Sequence, residues 1–233
     1  MSKSLVGLLV TELIQEGAID PSARIVRYLP ELANSAWADA TVQQTLDMTT
    51  GVKYAEDFAD PTSGVFQYLA AAGLQPARPG SNGAKSMAEH LPTVQKDGEH
   101  GTAFAYKSVD TEVLGWLLQR VTGKSYATLL SERIWSKLGT QEDAYVFADA
   151  NGGQATSVGV NATLRDLGRL GEMLRSNGRF NGQQIVSPAT IAELRKGADP
   201  AQFSKAPGTA MRAGYSYPVS YTHLRAHETR GNL

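Results

Sequence analysis

The sequence predicts a mainly helical chain, either an all-helical domain or the helical lobe of something larger, on three observations. Capped segments with apolar residues at helical spacing recur along the chain. Strand signals are few and short. No fixed-period repeat is present, which excludes a solenoid. The 233 residues, 42% of them hydrophobic, suffice for one large domain or two small ones with a proper core.

The elements follow in order. From Lys3 to Glu16 the residues Leu5, Val6, Leu8, Leu9, Leu13 and Ile14 recur at helical spacing, and Gly17 stops a helix expected to be largely buried. Ile19 to Ser22 reads as a turn, and Ile25 to Pro30 as a short extended or irregular piece. Thr41 can cap a brief helix through Met48. Residues 52 to 103 lose periodicity and collect prolines and glycines, and a loop of that length inside a compact domain usually covers a site. Ser108 is expected to cap a helix over Val109–Val121, and Ser125 to open another over Tyr126–Leu138. Thr163 opens a third toward Gly178, with Leu164, Leu167, Leu170, Met173 and Leu174 as its apolar residues. In it, Gly168 and Gly171 would let another element approach closely. Ser187-Pro188 starts a fourth that carries Ile191 and Leu194. Phe104 to Tyr106, Tyr145 to Phe147 and Gln184 to Val186 are the strand candidates.

Composition narrows the function. With 22 basic and 23 acidic residues, the net charge of -1 provides no field of one sign for nucleic acid or an anionic membrane, so the expected ligand is a small molecule or a protein. The absence of cysteine excludes a disulfide framework, a thiolate metal site and a Cys nucleophile. Four histidines, two of them His223 and His227 near the end, argue against a His-rich metal site. The apolar run Leu5 to Val10 is too short for a secretory signal or a bilayer span. The compartment is left open, with the cytoplasm favoured.

Two words carry candidate chemistry. Met1-Ser2-Lys3-Ser4-Leu5-Val6-Gly7-Leu8-Leu9 resembles the S-x-x-K-S-(L/F)-x-G-x-L segment of serine β-lactamases and their esterase and amidase relatives. Phe104-Ala105-Tyr106-Lys107-Ser108 resembles the Y-x-N or Y-x-S element of the same superfamily. Between them, in the family's order, stand Tyr28-Leu29-Pro30-Glu31-Leu32 and the stretch from Thr41 to Gly51. Glu31-Leu32-Ala33, Tyr54-x-Glu56-Asp57, Asp60-Pro61 and Asp110-Thr111-Glu112-Val113-Leu114 are similar to words of its 6-aminohexanoate-dimer hydrolase branch. The chain is thus identified as a member of the β-lactamase and penicillin-binding-protein superfamily over residues 1–217.

The resemblance implies an α+β fold, an α/β sandwich of the serine β-lactamase/DD-peptidase type, of which this chain holds mainly the helical lobe and little of the central antiparallel sheet. It implies a serine hydrolase acting on a small amide or ester through an acyl-enzyme, with no organic cofactor and no metal. By the spacing of the resembled motif the nucleophilic serine would fall immediately before Met1; Ser2 and Ser4 flank Lys3, project away from it on a helix and cannot take that role. By the same likeness Lys3 relays the proton, Tyr106 acts as base or shuttle, and Ser108 supports them. Tyr54, Asp57 and Phe58 would be pocket residues, Phe58 standing where relatives that cleave the amide carry tyrosine. No K-T-G or H-x-G strand follows. Residues 218–233, polar and without periodicity, resemble a translated adapter read-through and are taken as a non-native tail.

Without the nucleophile the chain is expected to be inactive, and without the sheet Leu5, Leu9 and Leu13 are expected to be exposed. The alternatives are a β-lactamase or carboxylesterase of the same superfamily, or a non-catalytic helical binding module. The last predicts Lys3 and Tyr106 far apart.

Overall fold

The computed structural model describes residues 1–79, 81–197 and 201–202. Helix α1 (Ser2–Gln15) is its hub. Every residue from Ser2 to Leu13 is buried, because α5 (Ser108–Thr122) and α8 (Pro188–Lys196) pack against it. The expected exposure of Leu5, Leu9 and Leu13 is therefore corrected: they are 1, 1 and 3% exposed. A helix apolar on nearly every side needs such cover to exist in water. Gly17 ends the turn with φ +75°, a left-handed geometry that glycine adopts without a Cβ clash.

Helix α2 (Val42–Leu46) begins with a capping box: Gln44 N–H donates to Thr41 Oγ1 at 3.1 Å, and Thr41 N–H to Gln44 Oε1 at 2.9 Å. It stops early because Met48 turns left-handed, with φ 52°. That turn is pinned by Ala105 N–H on the Met48 carbonyl (2.9 Å) and by Lys107 N–H on its sulfur (3.4 Å).

The stretch 52–103 is not one long loop. It contains α3 (Gly64–Ala71) and α4 (Met87–His90), too short for their periodicity to stand out in the sequence. Segment 95–101 is strapped to 49–53 outside any regular element. Lys53 N–H donates to the Gln95 carbonyl (2.8 Å), Asp97 N–H to the Gly51 carbonyl (2.7 Å), and Gly101 N–H to the Thr49 carbonyl (2.7 Å). The strands of chain touch so closely that a Cβ on Gly51 would lie 1.9 Å from the Gly98 carbonyl oxygen.

Lys107, not Ser108, is the cap residue of α5; Ser108 is its first helical residue, and its N–H goes to Glu56 Oε1 at 2.7 Å. The helix ends at Gly123, left-handed as the sequence predicts. Helix α6 (Tyr126–Arg133) is shorter than expected. The chain breaks at Ile134 and continues as a 3₁₀ turn, Trp135–Lys137, that sinks the Trp135 ring and aims its N–H at the Glu142 carbonyl (3.4 Å).

Helix α7 (Leu164–Arg175) is capped by Thr163 and faces the core through Leu170 and Met173. Leu164 lies outside that face, exposed on the first turn, and a Cβ on Gly168 or Gly171 would meet nothing within 4 Å. The expected close neighbour is absent there. Strands β1 (Arg179–Phe180) and β2 (Gln183–Gln184) form an antiparallel pair, the one sheet among the described residues. Phe104–Tyr106 forms no strand, and Tyr145 makes only an isolated bridge to Asn161. The described residues are thus mainly helical with one small sheet, as a helical lobe requires.

Among the described residues no helix is long and apolar enough to cross a membrane, and no cluster of His, Asp and Glu could hold a metal ion. Residues 218–233, His223 and His227 included, lie outside the described residues.

Candidate active site

The first turn of α1 and the turn entering α5 meet. Lys3 Nζ lies 4.7 Å from the centroid of the Tyr106 ring, a cation–π distance, while Tyr106 itself sits at the surface. Lys3 is only 4% exposed, and its ammonium donates to the Ser157 carbonyl at 3.0 Å. The separation of these two residues that a non-catalytic module predicts is not what the fold contains. Burial holds the Lys3 pKa below the usual lysine value, opposed by the carboxylates of Glu56 and Glu112. An amine so placed releases and takes up a proton more readily near neutrality than a solvated lysine.

The neighbours of this pair are polar and tightly joined. Glu56 Oε1 accepts from Ser108 N–H (2.7 Å) and from the Tyr54 hydroxyl (3.3 Å). Burial, then the Glu56 charge, pushes the Tyr54 phenol well above its ordinary pKa. Tyr54 also stands edge-on to Tyr68, with ring centroids 6.4 Å apart. Ser108 is buried at the base of this group. Asp57 and Phe58 do not join it. Asp57 Oδ1 accepts from Ala59 N–H within its own turn, and exposed Phe58 packs edge-on against Phe66 at 6.0 Å.

Behind the Tyr106 turn a second buried network fixes its neighbours. The Lys107 ammonium donates to the Thr50 carbonyl, and fully buried Asp110 accepts from Trp37 Nε1 (2.8 Å) and Thr50 Oγ1 (2.7 Å). Burial raises the Asp110 pKa to about 6, against the pull of Lys107. A cavity of about 670 Å³ is lined by Thr50, Tyr54, His90, Gly98 and Lys107. Lys3 and Tyr106 are not among its walls, so the candidate chemistry lies outside it.

Sequence reasoning assigned no role to Glu56, Tyr68, Glu112 or Ser157. Glu112 had one available signal: a carboxylate on a helix flanked by Val109, Val113 and Leu114 has to be paired if buried. Ser157 had none, because its carbonyl reaches Lys3 across 154 positions of sequence.

This arrangement of a lysine-bearing buried helix and a tyrosine turn on a helical lobe defines a β-lactamase-type hydrolase fold. The chain belongs to the beta-lactamase family, which it matches over residues 1–228. It is 39% identical over 197 residues to the 6-aminohexanoate-dimer hydrolase of Paenarthrobacter ureafaciens, an alignment covering 84% of this chain and 50% of that protein. A provisionally named 6-aminohexanoate-dimer hydrolase from Bacillus anthracis superposes with a TM-score of 0.75 at 33% identity, over 83% of this chain and 51% of that one. A family VIII carboxylesterase shares the fold, with a TM-score of 0.62 at 22% identity, over 84% of this chain and 59% of that one. The chain therefore spans about half the length of the relatives it matches.

Proposed function

We propose that this chain forms the helical half of a serine hydrolase that cleaves a linear amide or ester, of the kind its relative's name, 6-aminohexanoate-dimer hydrolase, describes. A serine three places before Lys3 attacks the carbonyl. Lys3 takes its proton, Tyr106 carries it to the leaving group, and water then releases the acyl-enzyme. Ser108 supports the pair from the start of α5. By likeness to the relatives Tyr54, Asp57 and Phe58 are assigned to the substrate pocket, Asp57 and Phe58 reaching it from a turn that lies beside the Lys3 and Tyr106 group rather than within it, and no cofactor or metal takes part.

The contact between the Lys3 ammonium and the Tyr106 ring carries this reading. Phe58 favours the ester over the amide, since it brings no hydroxyl to a leaving nitrogen. The test is a protein of the relatives' length that carries this segment with serine directly before Met1. It is expected to hydrolyse a p-nitrophenyl ester and, more slowly, a linear aminohexanoate dimer. Lys3→Met is expected to lower the ester rate about 10²–10⁴-fold. Absence of turnover on both substrates, or a fully active Lys3→Met variant, would overturn the proposal.

A further inference from the structure

Glu112 is 3% exposed as a residue, and its carboxylate accepts four hydrogen bonds. Its Oε2 accepts from Thr156 N–H (3.0 Å) and Thr156 Oγ1 (2.8 Å). Its Oε1 accepts from Ser157 N–H (2.9 Å) and the Tyr68 hydroxyl (3.1 Å). The Tyr68 hydroxyl, its proton given to Glu112, in turn accepts from Ser157 Oγ at 2.7 Å. One carboxylate thus grips two successive backbone amides of a segment that has no regular secondary structure to hold it.

That grip sets where the Ser157 carbonyl points, and the Ser157 carbonyl is the group receiving the Lys3 ammonium. Two further contacts fix the same segment. Gly115, one turn beyond Thr111 on α5, leaves room for the Thr156 side chain, whose Oγ1 lies 2.3 Å from where a Cβ would be. Val160 N–H donates to Ser2 Oγ at 3.0 Å, tying the segment to the residue next to Lys3.

We infer that Glu112 is the positioning residue for the Lys3 amine: by clamping Thr156–Ser157 it aims the Ser157 carbonyl that holds the ammonium over the Tyr106 ring. The inference deepens the hydrolase reading above and rests on it for its purpose, but the geometry can be tested without turnover.

The experiment is NMR on the chain as it stands, with isotopically labelled lysine side chains and Lys3 assigned by Lys3→Arg. In the wild type the Lys3 ε-methylene resonance is expected upfield of those of solvated lysines, from the ring current of Tyr106. Glu112→Gln offers its amide nitrogen no acceptor role toward the gripped N–H groups. It is expected to return the Lys3 signal to the position of solvated lysines. Asp149→Asn is the control. Asp149 staples the preceding turn through Asn151 N–H and Gly153 N–H and touches nothing at Lys3, so the signal is expected to stay in place. Thr156→Val removes the hydroxyl that Glu112 Oε2 and the Thr111 carbonyl share, leaves both backbone amides in the carboxylate's grip, and is expected to move the signal part of the way, which keeps the test open if Glu112→Gln does not fold.

An unmoved Lys3 signal in folded Glu112→Gln, or equal displacement by Asp149→Asn, would overturn the positioning role. So would an unmoved signal in Thr156→Val where Glu112→Gln fails to fold. Failure of the hydrolase reading looks different: the Lys3 signal responds as described, while the serine-bearing protein of full length turns over neither ester nor amide.

Discussion

Asp110 and His90 are expected to pull stability in opposite directions across the same pH range. Asp110 is buried with its pKa raised from 3.8 to about 6. The folded state therefore binds a proton that the unfolded chain has already lost, and stability falls as pH rises through that window. At 1.36 kcal/mol per pH unit the raise amounts to about 3 kcal/mol. His90 is buried with its pKa lowered from 6.5 to about 4, so its contribution is present above 6.5 and is lost as pH falls toward 4, by about 3 kcal/mol. Between pH 4 and 6 the two slopes nearly cancel in the wild type.

Single variants should uncover each slope. Asn at position 110 keeps an acceptor for Trp37 Nε1 and has no charge to bury, so Asp110→Asn should gain on the wild type by about 3 kcal/mol on going from pH 4 to pH 7. His90→Gln should gain on the wild type by a similar amount in the reverse direction, from pH 7 to pH 4. Urea unfolding followed by tryptophan fluorescence at several pH values measures both differences. If the difference between Asp110→Asn and wild type is the same at every pH, Asp110 does not titrate in this window and the burial argument fails.

Other substitutions test the packing and the site. Gly115→Ala places a methyl against the Thr156 side chain, within 2.6 Å of three of its atoms, and should destabilise by about 1–3 kcal/mol in the same denaturation assay. Gly168→Ala adds a methyl to an exposed helix position with nothing nearby, and should stabilise by roughly 0.5–1 kcal/mol; a loss would mean an uncounted neighbour at α7. In the serine-bearing protein, Phe58→Tyr should raise amide turnover by about tenfold or more while leaving ester turnover near its starting value, read by paired kinetics on the two substrates.

The sequence disclosed what depends on near neighbours. Helix starts at Thr41, Ser125, Thr163 and Ser187 follow from a capping side chain reaching a backbone amide three residues on, and each is present. Lys3 and Tyr106 were legible as motif words, and their contact follows from α1 and α5 packing together. What remained hidden depends on chain brought from a distance. Ser108 looked like a cap because nothing local shows that Glu56, 52 positions earlier, takes its amide. Leu5, Leu9 and Leu13 looked uncovered because the helices that pack against α1, α5 and α8, come from far along the chain. Glu112 was visible as a family word, but its purpose becomes readable only when Thr156 and Ser157 arrive beside it.

The contact between Gly51 and Gly98 has a kinetic consequence. Because the backbones there touch without side chains between them, segment 95–101 cannot ripple independently of 49–53. Amide protons of Asp97 and Gly101 should therefore exchange with deuterium as slowly as those inside a helix, although neither lies in a helix or strand. The segment behind the tyrosine turn then behaves as a stiff plate, opening only when the lobe around it comes apart.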